Sequence, residues 1–310
     1  MKVISSETDF LSEKISFKQR ITGDNAVKIY FLIPSLLFLL VLILYPVLSA
    51  IAQSFIKSDY FSGISAFIGF ENYLKVLKQP EFWDALKVDL IWTIGTIIGQ
   101  FTLGLLAALL INRPGRVMVV VRSILLVPYI IPAISLTLVF RWMLNDTYGI
   151  ITHFLTALGL QSLNFSLLSM PNYALLVVIL VEIYRTFPFL MICYWASLQA
   201  IPQELYEAAD IDGANGWRQF LYVTLPNLKT ITLTLLILRT IWEFNYFDVI
   251  YLLTKGGPAQ ATQHLPILVY TQSMGMFNFG LASAISIIMG LILTGFIIFY
   301  LKVFGKEELN

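Results

Sequence analysis

Four ionisable side chains sit where an oily chain has no ordinary use for them. Glu182 and Arg185 are three residues apart in one apolar run, and Arg239 and Glu243 are four apart in another. At those spacings each pair can meet on one face of a helix, and their similar depth also allows pairing across helices. A charge at the middle of a bilayer costs about 2.5–3.5 kcal/mol on insertion scales, so it needs a partner or a task. Two readings fit. The pairs can be structural, locking helices together. They can instead line a wet cavity that binds a polar solute. Glu182, Arg185, Thr186 and Phe189 recur at i, i+3, i+4 and i+7, which is one helical stripe. Trp242, Glu243 and Tyr246 make a second. Carboxylates and guanidinium groups hydrogen-bond to hydroxyls, and aromatic rings cover the apolar faces of sugars. Glu182 and Glu243 could also act as an acid/base pair, but no nucleophile or metal constellation accompanies them. His153 and His264 are isolated, with no second ligand at metal spacing, so no metal site is expected. Cys193, the single cysteine, lies in an apolar run and reads as an inert buried thiol.

The elements that must carry these residues are membrane helices. Of 310 residues, 58% are hydrophobic and 13% charged, against about 45–50% and about 25% in soluble domains. The net charge of +1, with no basic run interleaved with aromatics, gives no sign of nucleic-acid binding. Six segments reach the roughly 20 apolar residues that a bilayer requires: 29–52, 86–111, 117–144, 172–198, 229–253 and 279–304. They predict an all-α bundle of six transmembrane helices, flanked by cytoplasmic tails at 1–28 and 305–310. The first run is longer than the roughly 7–15 residues of a signal-peptide core, so it reads as an anchor. Prolines at 34, 46, 128, 132 and 188 lie inside spans, where neighbouring helices can satisfy the freed carbonyls.

An even number of spans puts both termini on one side. With the N-terminus inside, the cytoplasmic segments carry twelve Lys and Arg and the outer ones five, which fixes that orientation. The short basic loop "INRPGR" contributes most clearly. Gly95 and Gly99 in span two, and Ala282, Ser286, Gly290 and Thr294 in span six, form small-residue seams suited to close helix packing. Gly149–Leu160 carries Ile150, Ile151, Phe154, Leu155 and Leu158 on one face, which predicts a short helix along the membrane surface.

Between spans four and five the chain turns polar over 201–227. Pro202 suits the first turn of a helix, and Gln203–Ile211 reads as that helix. Gly213 ends it, and a second short helix can start near Gly216. The alanines leave a thin rod able to enter a groove on another protein. An ordinary surface loop is the alternative.

The stretch "EAADIDGANGWRQFLYVTLPN" resembles the EAA loop of binding-protein-dependent ABC importer permeases, with its Glu-Ala-Ala, its downstream Asp-Gly-Ala and its closing Leu-Pro. "FIGFENYLKVLKQPEFWDAL", "YGIITHFLTALGL", "SLQAIPQELYEAA" and "LRTIWEFNYFDVIYLLTKGGP" are similar to the carbohydrate branch with maltose-type permeases, so the resemblance covers nearly all of the chain after residue 30. It implies the type I importer permease fold, a place in a bacterial cytoplasmic membrane and no enzymatic activity in this chain. In that family the EAA loop docks in a cleft of a cytoplasmic ATPase, which assigns coupling to Glu207, Ala208, Ala209, Asp212, Gly213 and Ala214. Positions matching Glu182, Arg185, Thr186, Phe189, Trp242, Glu243 and Tyr246 line the sugar site, although the residues here are more charged than in the maltose type. Arg185 would either meet the carboxylate of an acidic sugar or neutralise Glu182, and the second is favoured. Lys255-Gly256-Gly257-Pro258 would mark the outer end of span five, on the side that receives the binding protein.

The expected partners are a second homologous permease, two ATP-binding subunits, an extracytoplasmic solute-binding protein, a sugar and membrane lipid. No cofactor is expected in this chain. It has no G-x-x-x-x-G-K-[ST] loop to cradle a nucleotide, so ATP and Mg would belong to the ATPase subunits. A permease for another solute, such as glycerol phosphate, is one alternative. An ion-coupled secondary transporter is another, against which the lack of detectable inverted repeats counts.

Overall fold

A computed structural model of the protein describes residues 24–58, 65–159 and 167–304. The expected tails fall almost wholly outside these residues, as do the basic side chains at 2, 14, 18, 20 and 306. The chain divides into two compact units, 1–53 and 54–310. The first holds α1 (Asp24–Leu39), with Pro34 inside it, and a single wide turn at 40–44 that leads into α2 (Tyr45–Ser54). Within it, Tyr30–Ser54 is long and apolar enough to cross a membrane.

The second unit opens with a ribbon that the all-α expectation did not include. β1 (Ile56–Ser58) pairs antiparallel with β2 (Ser65–Phe67), Ile56 opposite Phe67. The ribbon leads to α3 (Glu71–Lys78), which Asn72 anchors by donating from Nδ2 to the carbonyls of Ser54 and Ile56 at 2.9 and 3.1 Å. α4 (Pro80–Ile111) follows, its proline in the first turn where no amide is needed. The remaining helices are α5 (Arg116–Ile130), α6 (Ala133–Met143), α7 (Ile150–Ala157), α8 (Pro171–Gln199), α9 (Gln203–Ile211), α10 (Gly216–Gln219), α11 (Leu225–Asn227), α12 (Lys229–Phe244), α13 (Asp248–Thr254), α14 (Leu265–Tyr270) and α15 (Phe279–Phe304).

Among the described residues, four helical segments are long and apolar enough to span a bilayer. Six are reached if each of two bent pairs counts as one span: α5 with α6, bent by 92°, and α10–α11 with α12, bent by 59°. Two expected rods are broken, the third at the first of these bends and the fifth at a separate gap. The third, 117–144, turns at Ile131-Pro132, where Ile131 is extended (ψ 131°). Proline disfavours helical geometry in the residue before it and supplies no amide. The fifth, 229–253, stops at Phe244 and restarts at Asp248.

The core is the α4–α8 pair. Between membrane helices, close packing rather than water exclusion holds such a pair together, and small residues permit it. A Cβ on Gly99 would run into the Ile183 side chain. One on Gly104 would stand 2.7 Å from Leu190 Cβ and 3.2 Å from the Met191 amide nitrogen. The Gly95–Gly99 seam thus packs on Ile179 and Ile183 of α8. The α15 stripe behaves otherwise: Ala282 is buried, but Gly290 and Thr294 are exposed. In α7, Ile150 and Phe154 are exposed while Ile151 packs inward against the cluster built on Trp92, Val178 and Val249. The expected surface face is narrower by that residue, and the Leu155 side chain and Leu160 lie outside the described residues.

Candidate functional site

α8 and α12 bring the four midplane charges together. Arg185 grips Glu182 with both ends of its guanidinium, Nη2 to Oε1 at 2.5 Å and Nε to Oε2 at 2.9 Å. One turn on, Thr186 donates to the Glu182 carbonyl at 2.6 Å. In α12, Arg239 pairs with Glu243 through Nη2 and Oε1. Gln100 of α4 closes this second pair. Its amide nitrogen donates to Glu243 Oε1 at 3.0 Å, and its amide oxygen accepts from Arg239 Nε at 2.9 Å. Glu182, Thr186, Arg239 and Glu243 are all buried. Each carboxylate thus has a guanidinium on its own helix, as buried charges require. The quartet sums to zero charge.

The side chains that reach the surface are mostly aromatic. Phe189 stacks on Tyr129 of α5 (centroids 5.8 Å apart, planes at 29°) and lies against Trp242 at 5.9 Å. Arg185 sits over the Tyr246 ring at 4.9 Å, and Arg239 over Trp242 at 5.5 Å, both within cation–π range. Tyr129 is 39% exposed and Trp242 45%, so the wall is open, whereas the carboxylates behind it are not. The seven expected site residues thus separate by depth. Glu182, Thr186 and Glu243 form the backing, and Arg185, Phe189, Trp242 and Tyr246 stand nearer the surface.

Sequence reasoning passed over one stripe. Asp89, Trp92, Thr93, Thr96 and Gln100 are all buried on α4. They recur at i, i+3, i+4, i+7 and i+11, one face of an otherwise apolar helix. That spacing was visible, but the apolar residues between them hid it when the segment was weighed as a whole. Tyr129 carried no polar spacing that could have pointed to it.

The polar insert folds on itself. α9 occupies Gln203–Ile211 as expected, and Gly213 (φ +71°) takes the left-handed turn that ends it. The Ala214 amide bonds back to the Ala209 carbonyl at 2.9 Å. Asn215 caps α10 by accepting from the Arg218 amide at 3.0 Å, the role its short polar side chain suits. Gln219 donates to Asp210 Oδ1 at 2.5 Å, and Tyr206 and Thr224 share a hydroxyl bond of 2.9 Å. Glu207, Ala208, Asp212 and Gly213 are exposed, and Ala209 and Ala214 half-buried. Ile211, Trp217 and Tyr222 are exposed beside them, at 88%, 65% and 77%. Such apolar exposure on a polar insert suits a protein partner.

Residues 100–304 match the model of the family described as binding-protein-dependent transport system inner membrane component. A sulfoquinovosyl glycerol transport system permease protein from Agrobacterium fabrum is 35% identical over 268 residues, 86% of each chain. A trehalose/maltose transport system permease protein from Thermococcus litoralis is 35% identical over 293 residues, covering 94% of this chain and 97% of its own. A diacetylchitobiose uptake system permease protein from Streptomyces coelicolor is 34% identical over 79% of this chain and 75% of its own. A chain of a bacterial alginate ABC transporter, solved with an alginate pentasaccharide-bound periplasmic protein, superposes with a TM-score of 0.81 at 20% identity, over 93% of this chain and 96% of that one. That last likeness speaks for the fold alone. Taken with the helical bundle and the polar insert, these matches make the chain a permease subunit, not an enzyme, of the binding-protein-dependent transport family, seated as a multi-pass inner-membrane protein.

Proposed function

We propose that this chain is one of two homologous permeases in an ATP-driven importer that moves a sugar, an oligosaccharide by preference, inward across the bacterial cytoplasmic membrane. Three relatives named for trehalose or maltose, sulfoquinovosyl glycerol and diacetylchitobiose support the sugar. An extracytoplasmic binding protein delivers the solute, and two cytoplasmic subunits bind ATP and Mg. Both chain termini are cytoplasmic. The open wall of Tyr129, Phe189, Trp242 and Tyr246 receives the sugar rings, with Arg185 at its edge and Glu182, Thr186 and Glu243 fixing the charges behind. Because Arg185 is spent on Glu182 through two bonds, the wall suits a neutral sugar better than an acidic one. The second permease covers the open side.

One observation carries the mechanism. The insert runs through α10 and α11 and, across a 59° bend, directly into α12, the helix that holds Arg239, Trp242 and Glu243. The Tyr206–Thr224 bond ties α9 to the same segment. A push on Glu207, Ala208, Ala209, Asp212, Gly213 or Ala214 therefore moves the helix that carries the solute site. ATP closes the ATPase pair, the insert shifts, and the cavity opens outward; hydrolysis returns it.

Gly213→Pro tests this. Proline cannot adopt φ +71°, so the turn is lost while the spans are untouched. Uptake of labelled sugar by proteoliposomes holding the full assembly and binding protein is expected to vanish, with normal membrane insertion. Wild-type uptake in that variant would remove the coupling role.

A further inference from the structure

The break between α12 and α13 has a backbone cost. A continuous helix would spend the carbonyls of Glu243 and Tyr246 on amides four residues ahead. At Asn245–Phe247 that ladder stops, and the freed backbone groups need partners from outside the helix. The Tyr246 amide still reaches the Glu243 carbonyl at 3.1 Å, and two side chains from elsewhere supply the remaining bonds. Trp92 of α4 donates from Nε1 to the Glu243 carbonyl at 3.0 Å. His264, just ahead of α14, bonds through Nε2 to the Tyr246 carbonyl at 2.6 Å. A carbonyl only accepts, so that nitrogen carries the proton. Both donors are fully buried. Their rings meet edge to face, centroids 6.4 Å apart. His264 is held in turn at the start of α14, where its own carbonyl accepts from the Leu268 amide at 3.0 Å.

We propose that Trp92 and His264 are positioning residues for the solute wall. Together they fix the backbone from Glu243 to Tyr246, and with it the angle at which the Trp242 and Tyr246 rings face the cavity. The inference rests on the reading that those two rings meet solute. Neither Trp92 nor His264 need touch solute for it to hold. A packing role and a donor role separate cleanly: phenylalanine at 92 keeps ring bulk without the N–H, glutamine at 264 keeps an N–H, and leucine keeps neither charge nor donor.

The test uses the whole assembly in nanodiscs, with partner permease, ATPase subunits and binding protein. Variants are W92F, H264L, H264Q and W242A. The probe is whichever of maltose, trehalose and diacetylchitobiose the wild type imports. Its Kd is measured on the assembly trapped with vanadate, alongside basal ATP hydrolysis and the yield of intact complex. The loss of one buried donor is expected to weaken the Kd about tenfold in W92F and in H264L, with basal hydrolysis and assembly unchanged. H264Q should recover most of the loss. Wild-type Kd in W92F, or equal losses in H264Q and H264L, overturns the positioning role. If H264L fails to assemble, W92F decides. The W242A variant separates the two claims: a weakened Kd there with wild-type W92F retires the positioning role alone, and an unchanged Kd in W242A retires the solute wall itself and the inference with it.

Discussion

Tyr206 and Thr224 face each other across the polar insert, their hydroxyls 2.9 Å apart. Tyr206 belongs to α9, the exposed rod, and Thr224 to the turn that feeds α11 and α12. This bond ties the rod to the segment that leads into α12, the helix that the proposed coupling must move.

Removing that hydroxyl should uncouple the insert without unfolding it. Tyr206→Phe loses one hydrogen bond, worth about 0.5–1.5 kcal/mol. Uptake by the reconstituted assembly is expected to fall severalfold while ATP hydrolysis persists. The ratio of sugar moved to ATP consumed is the measurement, and an unchanged ratio would show that the bond transmits nothing.

Gln100 answers to a different physics. It serves both members of a buried ion pair, donating to Glu243 and accepting from Arg239. Gln100→Leu keeps the bulk but strands the Arg239 Nε–H and removes one of the two donors to Glu243 Oε1, leaving the Arg239 Nη2 bond in place. Stranded buried groups cost about 1–3 kcal/mol each, more when charged. The expected outcome is a melting temperature for the purified assembly clearly below wild type, with a smaller drop for Thr96→Val. Equal melting of Gln100→Leu and wild type would mean that water reaches the pair.

What the chain revealed in advance follows local chemistry. α9 was legible to the residue because Pro202 can start a helix and Gly213 can end one, and neither depends on a distant neighbour. Spacing allowed the Glu182–Arg185 and Arg239–Glu243 pairs but left pairing across the two helices equally open, and the structure forms the same-helix pairs. The break in the fifth span was not: Asn245-Tyr246-Phe247 contains neither Pro nor Gly, and the donors that stabilise it, Trp92 and His264, lie 151 and 18 residues away from the carbonyls they meet. The bend at Pro132 had its proline in plain sight, yet a membrane helix can tolerate one, and only tertiary packing decides between a kink and a 92° turn. Gln100 joined the site for the same reason as Trp92. Its partners come from another helix.

Gly104 sets the distance between the two central helices. A Cβ there meets Leu190 Cβ at 2.7 Å and the Met191 amide nitrogen at 3.2 Å, atoms at or beside the backbone that cannot swing away. Gly104→Ala should therefore push α4 from α8, at the cost of about 1–3 kcal/mol typical of overpacking. A lower melting temperature is expected, together with impaired uptake, since Gln100 lies one turn away on the same helix. Gly95→Ala, which meets only the Ile179 side-chain tip at 3.1 Å, should do less. Reversal of that order would contradict the close α4–α8 approach.

His264 gives the fold a pH dependence whose sign can be worked out. It lies in the loop between α13 and α14, outside the spans, and burial pushes it down to about 4, while the Tyr246 carbonyl beside Nε2 acts the other way. An exposed histidine titrates near 6.5. Above that pH, closed and opened states both hold it neutral, and its contribution to stability is constant. As pH falls from 6.5 towards 4, the opened state binds a proton that the closed state refuses, so stability drops; below about 4 both bind it and the loss levels off. Between pH 7 and pH 5 this amounts to about 2 kcal/mol. Asp89, whose carboxylate lies toward the Leu265 backbone, and Lys255 at the start of the loop are common to wild type and variant. Melting curves of wild type and His264→Gln across that range should therefore diverge, the wild type losing more stability on acidification. Parallel curves would mean that His264 binds its proton equally in both states, so that burial does not hold the imidazole neutral.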